Sequence, residues 1–216
     1  MFKKFLDNVS DALGITDNKI KDIIKESNQY IKGEEEITKE IKNTVAALKS
    51  YAEVETPSLG QAFSSLANTF EIIEAERLEK VNKLRDEYIG PLNELLIDLQ
   101  KLKTEQSEAE KAAKELEKAE KQLNKAKSKP KEKLKPNEIE TAESKLKAAT
   151  DKANKEKDDV KVATEEFNKA KLETMQKVLH KMVEIETAYH EKILQSIAGV
   201  KEKADAIKIE EEAKIE

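Results

Sequence analysis

Apolar residues recur at steps of three and four along most of the chain, which is the spacing of one face of an α-helix. The longest stripe begins with bulky residues and continues in smaller ones up to Ala126. Its apolar members before Ala126 are Leu66, Phe70, Ile73, Val81, Leu84, Tyr88, Leu92, Leu95, Leu99, Leu102, Ala109, Leu116, Ala119 and Leu123. A stripe sustained over so many turns predicts a long helix that packs along a coiled-coil seam. Alternating strand patterns are absent, so we expect an all-α fold.

Helix-breaking residues divide the amino-terminal part of the chain into two predicted helices. Residues 1–14 form a short amphipathic helix, because their apolar side chains fall within an arc of about 120°. These side chains are Phe2, Phe5, Leu6, Val9, Ala12 and Leu13. Gly14 stands where this helix is expected to end. The second helix runs from about Asn18 to Val54 and stops before Pro57.

The long third pattern and the last one are predicted to form an antiparallel pair. Gly90-Pro91 lies inside the third pattern and should bend the helix without ending it, because the stripe resumes in phase at Leu92. Two prolines enclose a loop at residues 128–137, after which the stripe of the last helix begins near Ile139. Helices joined by a tight turn lie antiparallel. The alanine-rich ends should form a thin arm, while the bulkier ends should pack with the second helix and with another copy of the chain.

The composition supports this picture and sets the domain organisation. Of the 216 residues, 39% are charged and only 38% are hydrophobic, which is typical of long helices rather than of a thick globular core. We expect the amphipathic helix at 1–14, a helical bundle at 15–207 and an acidic tail at 208–216. No apolar run approaches the roughly 20 residues of a membrane span, and the first residues lack the apolar core of a secretory signal. The chain should therefore be cytoplasmic and peripheral to membranes.

Lysines concentrate in the middle of a chain whose formal net charge is −5. A ridge on the third helix and the loop at 128–137 carry the candidate anion-binding residues. These are Lys111, Lys114, Lys118, Lys121, Lys125, Lys127, Lys129, Lys131, Lys133 and Lys135. The ridge lies opposite the apolar seam, so one interpretation is the solvated side of a coiled coil. The other is a membrane-binding surface, because each lysine near anionic lipid contributes about 1 kcal/mol.

The amphipathic segment at 1–14 also has two interpretations. Its apolar face can dock on the body of the protein, or it can insert at the boundary between headgroups and acyl chains. We favour insertion, with the following residues entering the membrane: Phe2, Phe5, Leu6, Val9 and Leu13. Its lysines and aspartates balance, so its affinity for a membrane should come mainly from the apolar side chains.

The sequence predicts no catalytic residues, metal site or cofactor. His180 and His190 each have a glutamate four residues away, whereas helical di-iron sites place a glutamate three residues before the histidine. The residue three before His190 is Thr187, so the spacing does not fit a metal site. Phosphate-binding glycine loops and nucleophile motifs are also absent. The acidic net charge argues against nucleic acid as a partner.

The whole layout resembles a BAR domain, and specific segments strengthen the resemblance. Tyr88-Ile89-Gly90-Pro91-Leu92 resembles the bend of these proteins and residues 185–190 resemble their final helix, while residues 51–59 are similar to the Chibby-interacting BAR subfamily. The resemblance implies three long kinked helices in a crescent-shaped homodimer that binds anionic membranes and senses or generates curvature. It also implies a role near cilia or in shaping organelle membranes. The alternative is a coiled-coil scaffold that binds partner proteins, such as other coiled coils, without direct lipid contact.

Overall fold

The fold consists of long helices, as the hydrophobic pattern predicts. The structure is a computed structural model that describes residues 2–213, with side chains from residue 4 onward. The helices are α1 (Phe2–Ala52), α2 (Pro57–Lys83), α3 (Gly90–Lys127), α4 (Glu138–Asp205) and the short α5 (Ile209–Glu212). No strand occurs between residues 2 and 213. The predicted all-α class is confirmed.

The first helix differs from the prediction, because α1 does not end at Gly14. It runs without a break from Phe2 to Ala52, through both Gly14 and Gly33. The buried face continues in phase from Leu13 to Ile20, and a glycine inside a helix costs only about 1 kcal/mol. Packing on both sides of Gly14 therefore outweighs the local preference for a helix end.

The corner between α1 and α2 depends on the glycine at position 60. Pro57 occupies the first turn of α2, where its missing N–H is not needed. The Gly60 N–H donates to the carbonyl of Thr56 at 2.7 Å. A Cβ atom at Gly60 would lie 2.7 Å from the carbonyl oxygen of Ala52. Only a residue without a side chain lets the two helices approach this closely.

Replacing Gly60 with alanine is expected to destabilise the protein. The new Cβ atom would press on the backbone of Ala52, which cannot swing aside like a flexible side chain, so we expect a loss of about 1–3 kcal/mol. Gly33→Ala is the matched control, because nothing lies within 4 Å of its Cβ position and alanine favours the helix by about 1 kcal/mol. Thermal denaturation should show a lower midpoint for Gly60→Ala and a higher one for Gly33→Ala. A midpoint unchanged by Gly60→Ala would contradict the close approach.

The predicted passage of the helix through Gly90-Pro91 is confirmed, and its mechanism is a widened turn. Residues Leu84–Ile89 form a π-helical segment that connects α2 directly to α3. The Gly90 N–H donates to the carbonyl of Arg85, five residues earlier. Pro91 has no N–H to donate, and widened turns of this kind accommodate such a gap. Leu84, Ile89 and Leu92 are buried, so the apolar face persists across the segment.

The chain divides into two compact units, and the first contains the thin arm. This arm unit comprises α1 up to Asp22 together with residues Asn93–Thr174. Ion pairs show that α3 and α4 run antiparallel, since Lys127 meets Glu143 at 2.9 Å and Lys152 meets Glu115 at 2.9 Å. The buried seam is rich in small side chains, as predicted: Ala109, Ala112, Ala119, Ala126, Ala142 and Ala153.

The second unit contains the bulkier core. It comprises residues Ile23–Leu92 and the chain from Met175 onward, so it includes most of α1, all of α2 and the end of α4. Its central cluster joins all of these helices. The cluster consists of Ile31, Val81, Leu84, Ile89 and Ile185, with Ile24, Tyr88 and Met182 packed against it. We call this part the core unit.

Candidate functional site

The predicted lysine surface lies on the arm unit and is largely exposed. All ten candidate lysines are exposed except Lys129, which is half-buried. Lys121 pairs with Glu117 at 2.5 Å, and Lys127 pairs with Glu143. Lys125 and the loop residues Lys131 and Lys133 have no ion pair with the described residues, whereas Lys118 lies near enough to Glu115 to help Lys152 lower the pKa of that carboxyl. The structure thus brings exposed, unpaired lysine side chains to this end of the arm.

Glu138 gives the loop at the tip of the arm its shape. Its Oε1 atom lies 2.5 Å from the Lys129 Nζ atom, and its Oε2 atom accepts the Lys135 N–H at 3.1 Å. These two contacts, with that from Lys129 the larger, lower the pKa of the Glu138 carboxyl. Asn137 before it adopts a positive φ of 60°, a conformation that asparagine tolerates well. Lys131 and Lys133, between the two contacts, project from a short 3₁₀ turn.

A shallow groove of about 400 Å³ lies beside this loop in the arm unit. Its polar wall is formed by Lys125, Lys129, Lys135, Lys145, Gln122, Thr141 and Glu138, whose carboxylate pairs with Lys129. The other three ammonium groups, with an amide and a hydroxyl, are suited to a phosphate-sized anion. Sequence analysis identified three of the four lysines but missed Lys145, which belongs to α4 and joins the others only through the antiparallel pairing.

The amino-terminal segment is docked on the arm unit in this structure. Leu6, Val9 and Leu13 are buried, and Phe5 is half-buried. The Gln106 amide donates to the Leu6 carbonyl at 3.2 Å. The side chain of Phe2, the fifth predicted insertion residue, lies outside the described residues. In this docked form the apolar face covers α3 rather than standing free.

The core unit carries a second apolar face, which is exposed. Four α4 side chains in line are between 47% and 71% exposed: Leu179, Val183, Leu194 and Ile197. On α1, a stripe with a step of seven residues is also exposed: Ile23, Tyr30 and Ile37. The Tyr30 hydroxyl donates to Glu186 of α4 at 2.7 Å, so the two stripes adjoin. Sequence analysis placed bulky residues here but did not separate the buried stripe from this exposed one.

A cluster of charged side chains is buried next to this face. Lys80 is only 4% exposed, and its ammonium group lies 3.0 Å from both Glu34 and Glu186. Arg77 also pairs with Glu34, over the ring of Tyr189. Burial is the largest single influence and would raise the pKa of Glu34, but the hydrogen bonds from Lys80 and Tyr30 and the charges of Lys80 and Arg77 together outweigh it, so the pKa lies below its ordinary 4.5. The stabilisation from this carboxylate is therefore present above that value and is lost as the pH falls through the lowered pKa.

Removing the buried ammonium group is expected to destabilise the core unit strongly. Lys80→Met would leave Glu34 and Glu186 without their shared partner, at a cost of about 3–5 kcal/mol. Lys83→Met is the matched control, because Lys83 forms an exposed pair with Glu79 that is worth about 0–1 kcal/mol. Urea denaturation at equal protein concentration measures both. Equal losses in the two variants would show that the cluster is not buried.

The structure also describes the histidines that the sequence analysis weighed as metal ligands. His190 is 68% exposed, and its Nε2 atom lies 3.6 Å from Glu186. Within residues 2–213, no three His, Cys, Asp or Glu side chains gather as a metal site requires. None of the helices in this range is both long and apolar enough to cross a bilayer.

Comparisons with known proteins identify the fold. The structure is similar to the amphiphysin BAR domain from Drosophila, with a TM-score of 0.68 and 15% identity over 99% of this chain and 94% of that one. It is also similar to the N-terminal I-BAR domain of IBARa from D. discoideum, with a TM-score of 0.52 and 16% identity over 98% and 95%. The family model described as FAM92 protein matches residues 4–214. No curated protein sequence matches the chain.

These likenesses confirm the predicted resemblance to BAR domains. FAM92 is a BAR-domain family, and the Chibby-interacting BAR subfamily indicated by residues 51–59 fits it. The solved structures are under 25% identical to this chain and support the fold alone.

Proposed function

Because the chain belongs to the FAM92 protein family, matched over residues 4–214, we propose that it is a peripheral membrane-binding module that senses or generates membrane curvature as a homodimer. The exposed lysine surface of the arm unit carries the proposal. Lys131 and Lys133 project from a loop in which Glu138 bonds to the Lys129 ammonium group and to the Lys135 N–H. The ammonium groups of Lys131 and Lys133 form no ion pair with the described residues, so this arrangement favours contact with anionic lipid headgroups.

Sedimentation with vesicles tests the proposed function. We expect the protein to pellet with phosphatidylserine-containing vesicles and to stay in solution with vesicles of phosphatidylcholine alone. Each lysine near the surface contributes about 1 kcal/mol, and this attraction decays over roughly 8 Å at physiological salt. Binding should therefore weaken as the salt concentration rises. Equal binding to both kinds of vesicle, or none to either, would contradict the proposal.

We also propose that the amino-terminal segment inserts into the membrane through Phe2, Phe5, Leu6, Val9 and Leu13. Leu6, Val9 and Leu13 are buried and Phe5 is half-buried in the docked form, so insertion requires that the segment leave its contact with α3. The gain would come from placing several large apolar side chains in lipid, each worth about 1.5–3 kcal/mol. Loss of the packing of Leu6, Val9 and Leu13 opposes this step, so binding at the lysine surface should come first.

A tryptophan reporter distinguishes the docked segment from the inserted one. The chain contains no tryptophan, so Phe5→Trp introduces a single fluorophore. We expect vesicles with brominated acyl chains to quench its emission when they also contain phosphatidylserine, because bromine acts only on a ring within the hydrocarbon. Tyr51→Trp, on the core unit, is the control and should not be quenched. If all of the protein is bound to the vesicles and neither tryptophan is quenched, the segment stays docked.

A second candidate function is a coiled-coil scaffold that binds partner proteins. The exposed apolar stripes of α1 and α4 favour it, because contiguous apolar surface marks sites of protein contact. The homodimer would cover the same stripes. A chain that is monomeric at high concentration and does not bind anionic vesicles would support the scaffold instead.

A further inference from the structure

The contact between the start of α1 and α3 contains a buried polar side chain where the seam is otherwise apolar. Leu102 and Ala109 of α3 are buried, and Gln106, the position of the stripe between them, is only 5% exposed. The Gln106 amide donates to the Leu6 carbonyl at 3.2 Å and to Glu110 at 3.3 Å. A hydrogen bond between neutral groups contributes less net stability than the full burial of a leucine side chain. Docking is therefore weaker here than an apolar residue would make it.

The same helix is fastened again just beyond Gly14. The Lys103 ammonium group lies 2.5 Å from the Asp17 carboxylate, and the Lys21 ammonium group lies 2.9 Å from it. The hydrogen bond from Lys103 is the largest cause of a lowered pKa of Asp17. Ile20, in the next turn, is buried. This part of α1 is thus held on the arm unit by charge as well as by apolar packing, and we call Asp17 and Ile20 the anchor.

Gly14 separates the anchor from the docked residues before it. Nothing lies within 4 Å of the position that a Cβ atom would take at Gly14, so close packing does not require a glycine there. Its physical effect is on the backbone, because glycine lowers the helix equilibrium constant about fivefold relative to alanine. A break at this point would free residues 4–13, which carry the buried Leu6, Val9 and Leu13. We call residues 4–13 the latch.

We propose that the latch is an autoinhibitory element that detaches from α3 by a break of α1 at Gly14 while the anchor stays in place, and that Gln106 keeps the docked form weak enough for an anionic membrane to open it. Because the latch contains the side chains proposed to insert, its effect on membrane binding rests on the proposed function. A membrane that binds the open form better than the docked one shifts the equilibrium between them. A helix as short as the latch is marginal in water once it is released, so the docked form dominates in solution.

Hydrogen exchange of the full chain in solution tests the latch without a membrane. We expect the amides of residues 8–13 to exchange faster than those of residues 21–31, because the latch opens while the anchor holds. Gly14→Ala favours the unbroken helix and Gln106→Leu adds apolar burial, so each should slow the exchange of residues 8–13 about fivefold. Gly33→Ala is the matched control, since its Cβ position is equally open, and should leave the latch unchanged. Equal exchange rates in the two ranges, or no slowing by either variant, would overturn the proposal.

The Phe5→Trp reporter then measures the opening of the latch on a membrane. On vesicles of phosphatidylserine with brominated acyl chains, at equal amounts of bound protein, Gly14→Ala and Gln106→Leu should each lower the ratio of inserted to docked chains about fivefold. Neither variant alters an inserting residue or a lysine, so a change in membrane affinity alone would not produce this decrease. Gln100→Leu adds the same side chain at an exposed position of α3 and should not lower the ratio.

The two measurements separate the failure of the latch from the failure of insertion. If the reporter in the otherwise unaltered chain is not quenched, the proposed insertion is wrong, and the exchange rates in solution still decide whether the latch opens at Gly14. If the reporter is quenched and neither Gly14→Ala nor Gln106→Leu lowers the quenching, the latch does not control insertion and the proposal is overturned.

Discussion

A chain that carries both Val183→Glu and Leu194→Glu is expected to be a monomer under conditions where the unaltered chain is a dimer. Both side chains are largely exposed on the second face of α4, at 65% and 71%. In a symmetric dimer each substitution occurs twice, and each burial that is lost is worth about 1.5–3 kcal/mol. The dissociation constant of the dimer should therefore rise by at least about a thousandfold. Light scattering over a dilution series measures it directly.

The neighbouring position supplies the control for this experiment. Gln195 is exposed and follows Leu194, but a step of 100° around the helix turns it away from the stripe. Gln195→Glu adds the same acidic side chain and should leave the dimer intact. If the double variant stays dimeric with unchanged affinity, the two copies meet through another face.

Reversing the charge of the tip is expected to abolish most binding to anionic vesicles. The variant changes Lys125, Lys131 and Lys133 to glutamate, because these exposed lysines have no ion pair with the described residues. Lys129 is left in place, since its bond to Glu138 shapes the loop. At about 1 kcal/mol for each lysine, the loss amounts to roughly a hundredfold or more in vesicle affinity for each copy. Sedimentation with phosphatidylserine vesicles gives the measurement.

A control with the same change in formal charge separates position from net charge. Lys19, Lys39 and Lys203 are exposed and lie away from the tip loop in the sequence. Changing these three to glutamate should reduce binding far less than the tip variant. Both variants should keep their helix content, because none of the six lysines belongs to a buried seam. Equal losses would mean that vesicles respond to overall charge rather than to the tip.

The seams and the loop were predictable because their signals are local. The step of three and four residues fixes which face of α3 is buried, and two prolines enclose the loop before α4. Gly14 was misjudged because its helix-breaking tendency is worth only about 1 kcal/mol, whereas the packing that overrides it involves residues far along the chain. Rules based on neighbouring residues cannot compare the cost of the glycine with the free energy gained from that packing.

The polar contacts of the structure had no comparable signal in the sequence. Lys80 and Glu34 lie far apart in the sequence and meet only in the folded chain, and Lys145 joins the lysines of the loop only through the pairing of α3 with α4. In the sequence, a lone glutamate or lysine on a charged helix looks like any other. The exposed stripe of α4 was hidden for a related reason. Its step of three and four residues overlaps that of the buried stripe, so the pattern alone does not show which side chains are covered within one copy.

The buried ammonium group of Lys80 also fixes how far each helix of the core unit can slide along its neighbours. Apolar seams repeat every seven residues, so two helices shifted by one repeat still bury similar side chains. Lys80 removes that freedom, because it needs Glu34 of α1 and Glu186 of α4 at the same height along the bundle. A shift of one turn, about 5.4 Å, would separate the charges and leave them buried alone. One axial alignment of three helices is thereby selected from several that hydrophobic packing alone would accept.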